Sequence, residues 1–375
     1  MNKILKILFK YKTDNTEADP SPNILPCISE ISDYLKSKGV FTRIQEYEVI
    51  SSAGVKVRHA NLLAYNPRSK NAHILFQGHI DTVPSDFQYE YKITKKDLIG
   101  RGAVDMKGSL AGMIASFLNV YGRFSKSKHP PALLITADEE ANGFAGIKHF
   151  LKTVPINVEI AVNGEPTNFS VSRKFKGVSI CKIELHGQTG HSSSINNDWL
   201  IEDGISVLVR VRKFLNESRK VKNKKFGETI AALTVCNAGV KSNQLPELMK
   251  IGFNLRTVDN HKIYERVFDN SVRKYLKRNT VVKLTHFDPI ETKISEKALS
   301  RIVSAFKKSG LDWKESTFNA FSEASIMISQ GMSVVACGPG DISLAHVKPT
   351  DEKLSIESIK AYSRLLKNIV EEFNS

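Results

Sequence analysis

In the stretch FQGHIDTVP (76–84), His79 and Asp81 stand on either side of one residue, directly behind the apolar run Ile74-Leu75-Phe76. An imidazole nitrogen and a carboxylate oxygen are both ligands for a divalent cation, and an acid close to a ligating histidine can fix its ring. Three more apolar runs lead to the same side-chain types. LLIT is followed by Asp138, Glu139 and Glu140, IAV by Glu165, and VVAC, through GPGDISLA, by His346. Asp105 adds a further carboxylate in IGRGAVDMKGSLAG. Two histidines and at least three carboxylates without a thiolate make a nitrogen and oxygen site suited to Zn²⁺, with Co²⁺ or Mn²⁺ as substitutes. A carboxylate can also bridge two cations about 3.5 to 4 Å apart, where a shared water becomes a hydroxide near neutral pH and a substrate oxygen is polarised. Each signal alone has a plainer reading. An HxD at a strand end is commonly structural, an EE pair complements a helix start, and a lone late histidine is commonly packed. The set carries the weight.

The glycines around Asp105 superficially suit a phosphate. A GxGxxG pattern would need a third glycine at position 105, however, and neither GxxxxGKS nor GxxxxGKT occurs in the chain. The glycines instead let the backbone turn tightly and present Asp105 ahead of a helix.

The elements that must position these residues alternate. The periodicity predicts a helix near 24–38, strands near 43–49 and 58–65, the strand AHILF, a helix over 107–122, the strand ALLIT, a helix near 143–153 and the strand VEIAV. Strands alternating with helices imply a largely parallel α/β sheet, and in such sheets the ligand crevice lies beyond the carboxyl ends of the strands. All four strand-end groups converge there. Over 177–286 the style changes. Cys181, Ile183 and Leu185 alternate with Lys182, Glu184 and His186, and the order is a strand, a helix near 199–216, a strand near 230–237, the strand LMKIGFNLR, a helix near 262–278 and the strand TVVKLTHF. That β-α-β-β-α-β order is the split βαβ plan of a small α+β sandwich. The α/β style resumes with a helix near 295–309, SVVAC and a helix near 355–373. The expected organisation is a catalytic metal-binding domain over 1–176 and 288–375, with a second domain inserted at 177–287.

A chain of 375 residues with 41% hydrophobic and 25% charged residues has room for two cores, and no apolar run approaches the roughly 18 to 20 residues of a membrane span. The N-terminal MNKILKILFKY has no small-residue cleavage site after it and reads as a surface segment of a soluble, cytoplasmic protein. Cys27, Cys181, Cys236 and Cys337 are scattered and form no CxxC pair, so neither a thiolate zinc site nor a disulfide framework is indicated. The net charge of +15 raises nucleic acid as a partner, but the Lys and Arg residues are dispersed, with modest clusters at RKVKNKK (219–225) and KYLKRN (274–279) and no recognisable nucleic-acid motif. Neither a nucleic acid nor a membrane is expected as a partner.

GHIDTVP, GRGAVDMKGSLAG, TADEE, GEPT, GHSS and CGPGDISLAHVKPTDE resemble, in order, the motifs of the co-catalytic zinc deacylases and exopeptidases that include acetylornithine deacetylase and succinyl-diaminopimelate desuccinylase. The resemblance covers most of the chain. It implies a zinc-exopeptidase-like α/β domain with an inserted lid and dimerisation domain, a homodimer, and two Zn²⁺ per chain. His79, Asp105 and Glu165 would hold one zinc, with Asp105 shared, and Glu140 and His346 would complete the other. Asp81 would orient His79, and Glu139 would be the general base. His191 of GHSS would support the oxyanion, Arg256 would fork a substrate carboxylate, and Asn243 would lie near the substrate. The tail with Glu323 in SEAS is closer to the acetylornithine deacetylase branch, which makes a small N-acyl amino acid, N-acetylornithine first, the expected substrate. Two positions depart from the pattern: Ser109 replaces a frequent glycine, and Phe175 stands where the deacetylases often carry histidine. A desuccinylase or a dipeptidase remains the alternative, and a metal-free binding protein of the same fold is the reading outside enzymes.

Overall fold

The computed structural model describes residues 1–85, 91–141, 143–154, 156–193, 199–277 and 279–375. The chain divides into two compact units, one of Met1–Arg173, Thr292–Ser316 and Ser322–Ser375, the other of Lys174–Glu291 with Thr317–Phe321. The second unit is therefore wider at both ends than the alternation of the sequence marked, and it takes back a short later segment.

In chain order the first unit opens with α1 (Asn2–Lys10), α2 (Ile24–Lys36), β1 (Thr42–Ile50), β2 (Lys56–Ala64), β3 (His73–His79), α3 (Lys107–Phe124), β4 (Pro131–Thr136), α4 (Ala145–Thr153), β5 (Val158–Asn163) and β6 (Val171–Phe175). The second unit holds β7 (Gly177–His186), α5 (Leu200–Arg219), β8 (Ile230–Ala238), β9 (Leu248–Thr257), α6 (His261–Ser271) and β10 (Thr280–Phe287). The first unit ends with α7 (Glu296–Ser309), α8 (Glu323–Ser329), β11 (Val334–Ala336) and α9 (Ile356–Phe373).

The main sheet runs in the order β1-β2-β4-β3-β5-β11-β6. Its centre, β4-β3-β5-β11, is parallel, and β2 joins β4 antiparallel. Every residue of β3 and of β4 is buried, as expected for strands covered on both faces. α3, α7 and α9 contribute to the core with Leu110, Phe117, Ile302, Phe306, Tyr362 and Leu366. Helix ends are set by local chemistry. The Ser355 side chain caps α9 by accepting from Ser358 N at 2.9 Å, Ser295 caps α7 through Ala298 N, and Gly310 closes α7 at φ 69°.

The N-terminal segment corrects the surface reading. It forms α1, with Ile4, Leu5, Ile7, Leu8 and Phe9 buried. Lys3, Lys6 and Lys10 fall on one exposed stripe because they recur every three or four residues. Three-residue apolar runs broken by lysines are an amphipathic helix, not a solvated strand of chain.

In the second unit the sheet order is β8-β9-β7-β10, antiparallel throughout. Its buried residues Cys181, Ile183, Met249, Ile251 and Phe253 pack with Val207, Val211, Phe214, Tyr264 and Phe268 of α5 and α6. The helix expected to reach 278 ends at Ser271, followed by a 3-10 turn at Arg273–Tyr275, and 278 itself lies outside the described residues. Phe175, at one departure from the family pattern, is fully buried and packs edge-on against Phe318 at 6.0 Å. Among the described residues no helix is long and apolar enough to cross a membrane.

Candidate active site

Four strand ends and one loop deliver the acidic and imidazole groups, all within the first unit. His79 is the last residue of β3. The chain beyond it is held by the N-terminal segment: Thr82 N donates to Thr13 O at 3.1 Å and Asn15 N to Thr82 O at 2.9 Å. After β4, Asp138 sits at φ 69°, a left-handed conformation that costs an ordinary residue about 1 to 2 kcal/mol. Its carboxylate is tied down by His59 Nδ1 and by Asn15 Nδ2, each at 2.8 Å. The turn then presents Glu139 and Glu140, whose backbone N–H groups donate to Asp81 Oδ1 at 3.4 Å and Oδ2 at 3.0 Å. Glu165 follows β5, and His346, also left-handed at φ 62°, follows β11. Asp105 comes off a turn in which Gly100 and Gly102 adopt φ 141° and 82°. A Cβ on Gly108 would lie 2.4 Å from Ala103 O, so only glycine lets α3 start this close to the Asp105 loop.

These groups converge. His79 Nε2 lies 3.1 Å from Asp105 Oδ1, and His346 Nε2 lies 3.5 Å from Asp105 Oδ2 and 3.0 Å from Glu140 Oε1. Asp105 thus presents one oxygen to each histidine. Among the described residues, ligand atoms of His79, Asp105 and Glu165 fall within 4.8 Å of one another, as do those of Asp105, Glu140 and His346 and those of His79, Glu139 and Glu140. His79 Nδ1 faces the backbone carbonyl of Asp81 at 3.0 Å and the Asp81 carboxylate at 3.6 Å. The carbonyl fixes the ring most closely, leaving Nε2 turned towards the cluster. The Asp81 carboxylate accepts from Glu140 N at 3.0 Å, from Asn15 Nδ2 at 3.1 Å and from Glu139 N at 3.4 Å.

The electrostatics describe a pocket short of positive charge. Burial pushes Glu139, Glu140 and Glu165 above the usual carboxylate range, and neighbouring carboxylates add to the effect. Burial would favour neutral rings, yet hydrogen bonds with Asp105 and Asp81 raise His79 well above its ordinary value. Those with Asp105 and Glu140 likewise bring His346 to about 10. Asp105 is held low in spite of its burial by hydrogen bonds to both histidines. Glu165 Oε1 is buried without a hydrogen-bond partner. An all nitrogen and oxygen donor set, excess buried carboxylate and an unsatisfied carboxylate oxygen fit a divalent cation site.

His191, Asn243 and Arg256 lie in the second unit. His191 pairs in register with Gln244, and Ser192 N donates to Asn243 O at 3.0 Å, so His191 and Asn243 share one exposed corner. The His191 ring is 2.7 Å from Ser193 Oγ. Arg256, half-buried, lies on β9 opposite Ile230 and Val178. The structure also adds residues that the spacing of acids and histidines left unmarked. Asn15 and His59 hold the Asp138 turn, and Arg101 pairs with Glu352. Buried Glu323 accepts from Gln77 and from Thr136 beside the end of β3. The acid cluster TADEE was the signal for Asp138; Asn15 and His59 carry none that a single sequence shows.

A sequence profile of Peptidase family M20/M25/M40 matches residues 75–372. The acetylornithine deacetylase of Buchnera aphidicola subsp. Schizaphis graminum is 26% identical over 99% of this chain and 97% of its own length. Among solved structures, human carnosine dipeptidase 1 superposes with a TM-score of 0.77 at 17% identity, over 99% of this chain and 96% of that one. A Bacillus subtilis protein described as a dinuclear metal binding peptidase of the M20 family superposes with a TM-score of 0.61 at 12% identity, over 100% of this chain and 98% of that one.

Proposed function

The chain belongs to Peptidase family M20/M25/M40 and is a hydrolase acting on amides, and from that premise we propose that it is a two-metal deacylase of N-acyl amino acids whose preferred substrate is N-acetylornithine. The observation that carries the reading is the Asp105 carboxylate, with one oxygen towards His79 and the other towards His346. His79, Asp105 and Glu165 would hold one cation, and Asp105, Glu140 and His346 the other, with zinc the first choice and cobalt or manganese as substitutes. Divalent cations held there would polarise an amide carbonyl and would make the attacking water more acidic near neutral pH.

The remaining steps belong to the chain. Glu139 lies outside both three-residue groups that share Asp105, within reach of His79 and Glu140. It accepts the proton of the attacking water and passes it to the leaving amine nitrogen. Its buried position raises its proton affinity and so eases the first of these transfers. Asp81 holds the Glu139-Glu140 turn by its two N–H groups and keeps the His79 ring in place. His191 donates to the oxyanion, Arg256 forks the α-carboxylate of the substrate, and Asn243 lines the same approach.

A homodimer suits the second unit, where Ile205 and Val209 of α5 and Leu233 and Val235 of β8 are exposed. Among the described residues β8 is also the outer strand of its sheet, an edge on which a second copy can add.

A substrate panel tests the proposal. Zinc-loaded protein is offered N-acetylornithine, N-succinyl-diaminopimelate and unblocked dipeptides. Fastest turnover of N-acetylornithine supports it, and fastest turnover of either other substrate reassigns the chain within the family.

A further inference from the structure

The N-terminal segment reaches the outer layer of this site with the side chain of Asn15. Asn15 lies before residue 75, where the family match begins, and is 1% exposed. Its Nδ2 group stands 3.1 Å from Asp81 Oδ2 and 2.8 Å from Asp138 Oδ1. Its Oδ1 accepts from Ser21 N at 3.1 Å, which fixes the orientation of the amide: reversed, the carbonyl would face two carboxylates. The two hydrogens of one NH₂ group therefore separate two buried acids that would otherwise face each other without a donor between them.

Those two acids bear on the same turn. Asp81 follows His79 and receives the N–H groups of Glu139 and Glu140. Asp138 starts the same turn in a left-handed conformation and is braced from behind by His59, whose Nε2 reaches Ser21 O at 2.9 Å. The backbone of Asn15 is anchored independently: Asn15 N donates to Thr82 O, and Thr13 Oγ1 donates to Ile80 O at 2.8 Å. The side chain is thus placed by a rigid backbone, which is what a positioning group requires.

We infer that Asn15 is a positioning residue: by donating to Asp81 and Asp138 together it locks the β3 end and the 138–140 turn into one register, setting His79, Glu139 and Glu140 for the cation pair. The inference rests on the two-metal reading above. Removing an outer partner of a metal site weakens metal affinity or activity by roughly 10- to 100-fold, and Asn15, one bond further out, is placed at the lower end, about tenfold.

The test compares full-length wild-type protein with Asn15→Asp, Asn15→Ser and Asn23→Ala. The Asn23 side chain donates to Lys12 O in the same segment and, among the described residues, to neither acid, and the bond from its backbone N to Ser21 Oγ survives the change to alanine, so its variant perturbs the segment alone. Zinc affinity is measured by competition with a chromophoric chelator, the ligand field by visible absorption of the cobalt form, and kcat and KM on N-acetylornithine. Both Asn15 variants are expected to weaken zinc binding and lower kcat, each about tenfold, with KM unchanged and an altered cobalt spectrum, while Asn23→Ala matches wild type. Should Asn15→Asp fail to fold, Asn15→Ser carries the test alone. Zinc affinity and a cobalt spectrum of Asn15→Ser equal to wild type overturn the inference, as does an equal loss in Asn23→Ala. A wild-type protein that binds two cations but prefers another amide leaves the affinity and spectral readouts decisive, whereas one that binds no cation removes the two-metal reading and this inference together.

Discussion

Arg101 and Glu352 form a buried ion pair, Nη1 to Oε2 at 2.5 Å, that joins the loop carrying Asp105 to the loop carrying His346. Arg101 Nη2 also donates to Val347 O, one residue past His346, and Glu352 Oε1 accepts from Val104 N, one residue before Asp105. Removing one partner of a buried pair leaves an uncompensated charge and costs roughly 3–5 kcal/mol. Arg101→Met or Glu352→Gln is therefore expected to lower unfolding free energy by about that amount, read by urea denaturation, and to weaken cation binding. An unfolding midpoint and zinc affinity equal to wild type would show that the pair does not hold the two loops.

Glu139 is expected to matter for the rate and not for the metals. Glu139→Gln keeps shape and hydrogen bonding but cannot accept a proton, so kcat should fall by about 10²- to 10⁴-fold with two cations still bound per chain. Metal analysis beside steady-state kinetics checks both halves. Loss of a cation in this variant would make Glu139 a ligand.

Glu323 makes a pH prediction for the metal-free protein. Burial, partly offset by the charge of His79 and by the hydrogen bond from Thr136, pushes its carboxyl up to about 7. A folded value above the unfolded one means that the group's contribution to stability is complete below the ordinary carboxylate range and is lost as pH rises through about 7. Glu323→Gln keeps the neutral form at all pH. The variant is expected to be the more stable protein at pH 8, by about 3 kcal/mol at most, and to approach wild type near pH 4.5. Urea unfolding at both pH values checks the sign; a variant less stable at pH 8 contradicts it.

The exposed apolar residues of the second unit predict assembly. Wild-type protein should run at twice the 41.8 kDa chain mass by light scattering, and Val209→Glu combined with Leu233→Asp should return it to a single chain mass. A wild-type monomer removes the homodimer.

Much of the site was legible in the sequence because a parallel strand buried on both faces must end where its backbone leaves the sheet. An apolar run followed at once by His79, Glu139-Glu140 or Glu165 marks that edge without any knowledge of the partner strands. The alternation of Cys181, Ile183 and Leu185 gave the second unit's sheet for a similar reason, since one face is buried and the other is wet. What stayed hidden has no period. Asn15 meets Asp81 and Asp138 through contacts between distant segments, and Arg101 finds Glu352 across most of the chain. The seven-residue α8 is buried almost all round and shows no amphipathic stripe. The return of 317–321 to the second unit is likewise too short to register as an element of its own.

The most direct measurement titrates zinc into metal-free protein and counts equivalents bound, for wild type and for Asp105→Ala. A single carboxylate serving both groups predicts two tight equivalents per chain in wild type and loss of tight binding at both positions in the variant. One equivalent or none in wild type, or two retained in Asp105→Ala, would contradict the account.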